Sequence, residues 1–164
     1  MTSTRCALAA ALAASFASGC RDTSSFTTAP GEAYCGSVVQ GSFVRAGFAP
    51  DVALRLTFDA DKVTTSPGVV ATSDGLLADA PVRAMPQLFH DPLSTLDFGE
   101  GRRKSYLYAA DPASGAQLTI VVSLMESDDV EVRVLRVGRD GSTDPADRPI
   151  FGVFPLTRRK GACF

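Results

Sequence analysis

Residues Gln117–Gly138 read QLTIVVSLMESDDVEVRVLRVG. Leu118, Ile120, Val122 and Leu124 share one parity, and Val130, Val132 and Val134 share one parity after the polar segment Glu126–Asp129. Side chains alternate across a β-strand, so each run can bury one face and leave the other in solvent. The acidic segment between them is of turn length, and the whole stretch predicts a hairpin. Beyond Val134 the phase slips, because Leu135 and Val137 are apolar on the opposite parity. A β-bulge near Leu135 is expected to absorb the slip.

The same period recurs along the chain. Val52, Leu54, Leu56 and Phe58 alternate with Ala53, Arg55, Thr57 and Asp59, which predicts a half-buried strand. Ser37–Val44, Lys104–Ala110 and Pro149–Leu156 are further strand candidates. Val69–Thr72 and Val82–Leu88 carry weaker signals, and Pro81 and Pro86 assign the latter to an edge or an irregular run. Gly, Pro, Asp and Ser cluster between these runs, as in HDPLS, DPASG and RDGSTDPADRP. At most a turn or two of helix is expected, near Pro92–Leu96. Short strands at regular spacing predict an all-β domain, an antiparallel β-sandwich or small β-barrel of about 7–9 strands.

A chain of 164 residues, 45% hydrophobic and 21% charged, suits one domain with a real core. A net charge of -2 gives no bulk attraction for nucleic acid, and none is expected as a partner.

The first residues have a different character. MTSTR carries one basic side chain, and Cys6–Phe16, CALAAALAASF, is an unbroken small and apolar run. It is shorter than the roughly 20 residues that span a bilayer, and its layout is that of a secretory signal peptide. An N-terminal Ala-rich core helix is the alternative, although such a helix normally alternates polar and apolar faces. ASGC, Ala17–Cys20, closes the run. It resembles the lipobox of bacterial lipoproteins, with small Ser18 and Gly19 before the cysteine and Ala17 where Leu is usual. The resemblance implies a diacylglycerol on Cys20 after cleavage; an ordinary signal-peptidase site near Ala17 or Ser18 is the alternative.

Cysteine parity bears on that choice. Cys6 leaves with the leader, so Cys20, Cys35 and Cys163 remain, an odd number for an exported chain. Lipidation of Cys20 leaves Cys35 and Cys163 to pair in an oxidising compartment. Such a bridge sets the entry to the first strand beside the exit from the last, as antiparallel neighbours or across a sandwich edge. The expected organisation is a signal peptide over 1–19, a flexible Ser/Thr-rich tether over 20–34 and a β domain over 35–164. A coil of that tether's length reaches on the order of 20 Å, so the domain is expected to stand off the bilayer. Asp22 stands one place beyond the position that retains enteric lipoproteins at the inner membrane, which favours the outer membrane.

Little in the sequence supports catalysis. The one histidine, His90, precedes Asp91 and Pro92 in a turn-like stretch. No nucleophile elbow accompanies it, and its nearest carboxylate is an adjacent residue that alternation points elsewhere. The acidic groups Asp59/Asp61, Glu126/Asp128/Asp129 and Asp140/Asp144/Asp147 lack the spacing of a calcium loop and read as turns. No cofactor or metal is assigned. Two basic triads recur, Arg102–Lys104 and Arg158–Lys160. The Cys35–Cys163 bridge would set Arg158, Arg159 and Lys160 near the tether, where they are expected to contact an anionic membrane or a partner. Otherwise both triads serve as strand-edge protection. The chain is thus expected to be a lipid-anchored cell-envelope protein with a non-catalytic interaction or structural role and an envelope protein partner. A binding module for a small apolar ligand in the β core is the alternative, although the Gly-x-Trp of lipocalins is missing from a chain without Trp.

Overall fold

The computed structural model describes residues 24–41, 45–59, 67–85 and 101–164. The chain is all-β, and every strand pairing is antiparallel. The strands are β1 (Glu32–Ser37), β2 (Ala53–Thr57), β3 (Val69–Thr72), β4 (Ala80–Pro81), β5 (Arg83–Ala84), β6 (Arg102–Ala110), β7 (Leu118–Met125), β8 (Val130–Arg136) and β9 (Ile150–Lys160). Their order in the sheet is β4-β3-β2-β1-β9-β8-β7-β6-β5. The two edge strands are therefore consecutive in the chain, separated by Val82 alone. β4 pairs with β3 and β5 with β6, so one bent segment touches both edges and brings the sheet to near closure as a barrel.

Alternation explains which residues fill it. Leu54 and Leu56 of β2, Ile120, Val122 and Leu124 of β7, and Val132 and Val134 of β8 are all 0% exposed. These are the residues on which the sequence places the buried faces. Tyr106 and Tyr108 of β6 and Phe154 and Leu156 of β9 complete the interior. Each such side chain contributes about 1.5–3 kcal/mol through burial.

Both ends are sealed by aromatic rings. At one end Phe48, from the β1–β2 connection, meets Phe154 edge-on with centroids 5.2 Å apart. Gly152 makes this contact fit: a Cβ there would lie 2.7 Å from the Phe48 ring. At the other end Tyr34 meets Phe58 at 5.3 Å and 87°, and Phe26 stacks on Tyr34 at 6.5 Å.

Phe26 corrects an expectation. The segment 20–34 reads as a tether, yet Phe26 is 0% exposed and β1 begins at Glu32. Ser25 donates to Asp128 and Thr28 to the carbonyl of Phe58, so residues 24–31 form a strap across this end of the barrel. One aromatic ring supplies the burial that the surrounding Ser and Thr conceal in composition. The folded domain therefore starts before residue 35.

Several strand limits also differ. β1 lies earlier than Ser37–Val44, and the β1–β9 ladder runs only from Glu32↔Lys160 to Cys35↔Thr157. Two residues further on, β9 offers Pro155, which has no N–H to donate. β8 is in continuous register with β9 through Leu135↔Phe151 and Arg136↔Ile150, so no bulge occurs at Leu135. Leu135 instead faces outward beside Phe151, and Val137 is 95% exposed. The register shift falls in β6, between Arg102 and Lys104. β9 extends past Leu156 to Lys160, taking the basic triad into the strand. The helical turn expected near Pro92–Leu96 lies outside the described residues.

Cys35 and Cys163 are disulfide-bonded, with Cα atoms 5.7 Å apart. The bridge joins the first strand to the tail of the last, which are antiparallel neighbours.

Candidate functional site

The barrel end that carries the strap gathers most of the residues singled out from the sequence. It is formed by the start of β1, the ends of β2 and β9, the β7–β8 turn and the start of β6. Tyr34 fills the barrel here, and its hydroxyl donates to the carbonyl of Asp128 at 3.3 Å. Asp128 sits in the left-handed region with φ 64, where a short Asp side chain is tolerated. Its carboxylate accepts from the Ser25 hydroxyl at 3.1 Å. The hairpin turn thus holds both the strap and the interior tyrosine.

Along the β1–β9 part of this rim, Glu32 is met by Arg158, the Ala29 backbone and Lys160. Arg158 reaches Glu32 Oε2 through Nε at 3.1 Å and Nη2 at 2.6 Å. The backbone N–H of Ala29 donates to the same oxygen at 3.2 Å. Lys160 Nζ lies 3.9 Å from Oε1. The Arg158 hydrogen bond, followed by that from Ala29, holds the Glu32 carboxyl below its usual range. The last turn of the strap closes on the strand, with Glu32 N–H to the Ala29 carbonyl and Gly161 N–H to the Gly31 carbonyl, both at 2.9 Å.

The triad Arg158–Lys160 is therefore divided by strand parity. Arg158 and Lys160 continue the inward parity of Phe154 and Leu156, and at the rim they meet Glu32. Arg159 continues the outward parity of Thr157 and is exposed. Lys104, the described side chain of the other triad, lies over the Tyr106 ring at 5.3 Å on the same rim. Between these basic positions stands the β7–β8 turn with exposed Glu126 and Asp128. The rim carries charges of both signs in alternation.

The other candidates have local roles or fall outside view. Cys20 and His90 lie outside the described residues, as does Asp61. Asp144 accepts from Ala146 N–H at 2.8 Å and caps the 3-10 turn Pro145–Asp147, while Asp147 accepts from Ser142 at 3.0 Å. Those carboxylates serve turn geometry. Among the described residues no three His, Cys, Asp or Glu side chains are grouped to hold a metal ion. One open depression on the outer wall between β8 and β9, lined by Met125, Asp129, Glu131, Pro155 and Thr157, measures 180 Å³. Ligand pockets are typically about 300–1,000 Å³.

Glu32, Ser25 and Phe26 drew no assignment from the sequence, because all three fall in the expected tether. The one available signal was Phe26 itself, the sole large apolar residue between Cys20 and Tyr34. The C-terminal residue is also placed: Phe164 lies against the Arg55 guanidinium, 5.7 Å from ring centroid to carbon, and Arg55 in turn pairs with Asp79.

No protein-family model matches the chain, and no significant similarity to a curated protein or a solved structure is found.

Proposed function

We propose that this protein is a lipid-anchored cell-envelope protein, attached through Cys20, with a non-catalytic interaction or structural role. The observation that carries the proposal is the Cys35–Cys163 bond. It accounts for two of the three cysteines that follow the apolar leader and leaves Cys20, within ASGC, as the residue for attachment. A bridge of this kind fits an exported chain, because thiols outside the cytosol are oxidised. The outer membrane is the favoured location, by the position of Asp22.

The filled interior favours an interaction or structural role over the binding of a small apolar ligand. Tyr106, Tyr108, Leu118, Ile120 and Phe154 occupy the space that a ligand barrel leaves open, and Phe26 and Phe48 close its ends. Partners are then met on the outer wall or at the loops.

Two measurements test this. Intact-mass analysis of the membrane-extracted protein should give a chain beginning at Cys20 with a diacylglyceryl adduct. Affinity purification from detergent-solubilised envelope, beside a Cys20→Ser control, should recover a partner whose capture depends on anchoring. An unmodified chain found in the soluble fraction would contradict attachment. Equal partner recovery with Cys20→Ser would detach the interaction from the membrane.

A further inference from the structure

We infer that the strapped end of the barrel is seated directly on the phospholipid headgroups, end-on; this rests on attachment through Cys20. The observations are the strap contacts. Ser25 is held by Asp128, Phe26 is fully buried and Thr28 is held by the Phe58 carbonyl. Only Arg21, Asp22 and Thr23 then separate the attachment residue from Ser24, where the described chain begins. Four Cα steps at about 3.5 Å each reach at most about 14 Å. The barrel is much longer than this leash. β9 has 11 residues, and at about 3.3 Å each with a barrel tilt near 40° it extends about 28 Å along the axis.

The composition of the rim fits this seat. Exposed Arg159 and Lys160 carry positive charge at the end of β9, and exposed Glu126 and Asp128 carry negative charge on the neighbouring β7–β8 turn. Zwitterionic headgroups present both an ammonium and a phosphate, so a mixed rim finds partners of both signs among them. A uniformly basic surface would instead select anionic lipid. The outward apolar pair Leu135 and Phe151 lies towards the opposite end, away from the headgroups in an end-on seat. The membrane surface recognised is thus a headgroup layer, met by the strap, the β7–β8 turn and the end of β9.

Amide hydrogen exchange on the lipidated full-length mature protein in phosphatidylcholine vesicles, against the same protein in detergent, tests the seat. Rim amides are those of Glu126, Asp128 and Gly161, bonded to Gly101, Met125 and Gly31. Far-end amides are those of Gly75, Ala113 and Ser142, bonded to Thr72, Leu76 and Arg139. Exchange at the rim should slow by about fivefold or more on the vesicle, with the far end unchanged. Slowing at both ends would mean a barrel lying on its side, slowing at neither a barrel held clear of the surface, and either result overturns the seat. Intact mass reports attachment separately. A chain recovered without lipid overturns attachment alone, because coupling the Cys20 thiol to a maleimide-bearing lipid restores the same leash and the exchange pattern still answers. Vesicles rich in phosphatidylglycerol form the second arm: rim protection confined to them would replace the mixed-charge seat with a basic one and overturn the headgroup assignment.

Discussion

Gly152 and Phe26 show how single positions close this barrel. A methyl group at Gly152 would press on Phe48 at 2.7 Å and on Phe154 at 2.9 Å, and both rings are packed. Gly152→Ala is expected to destabilise the fold by about 1–3 kcal/mol, read from the midpoint of urea unfolding. Wild-type stability for this variant would mean that Phe48 does not seal the end. Phe26→Ala removes a fully buried ring and should cost about 3 kcal/mol or more. A true tether would tolerate that change without measurable loss, so the variant separates strap from tether. Tyr34, Tyr106 and Tyr108 bear on pH dependence. Burial raises all three phenols above their usual value of 10.0. The unfolded chain releases these protons first, so the stability they contribute is complete below about pH 10 and falls as pH rises beyond it. Tyr106→Phe should flatten that alkaline limb, as followed by thermal unfolding at several pH values; an unchanged limb would assign it to other groups.

Strands were legible wherever one face is buried and the other wet. β2 and β8 follow the sequence because Leu54, Leu56 and Val132 alternate with less buried neighbours such as Arg55, Glu131 and Arg133. β4 and β5 were hard to read because each has two residues, and β4 ends on Pro81. Periodicity cannot register a segment that short, yet it joins the two edges. β9 extends over Arg158–Lys160, where polarity hides a strand whose pairing is with β1 and whose inward side chains meet Glu32 at a rim. The apparent phase slip at Leu135 reflects an outward Leu–Phe151 pair; parity shows where a side chain points, and an apolar residue can point outward. Ser25 and Glu32 carried no signal at all, since their partners Asp128 and Arg158 are 103 and 126 positions away. The β1–β9 seam has a short ladder that stops before Pro155, and the Cys35–Cys163 bond lies beside it. Cys163→Ser should therefore cost about 2–5 kcal/mol and raise exchange first in β1 and the end of β9. Uniform loss across all strands would show that the seam is no weaker than the rest.

At the scale of the whole molecule, a filled, disulfide-bonded barrel is proposed to hang on a short lipid leash. The barrel was legible in the sequence as a class, and the cysteine pairing as a parity argument. The proposed seat was not, because it depends on where the strap ends, which one buried ring determines. Attachment itself is tested most directly by the intact mass of the protein extracted from membranes. The expected species is a chain that starts at Cys20, retains the Cys35–Cys163 disulfide and carries a diacylglyceryl group on Cys20. A mature chain with an unmodified Cys20, or one that still carries its apolar leader, would contradict the account.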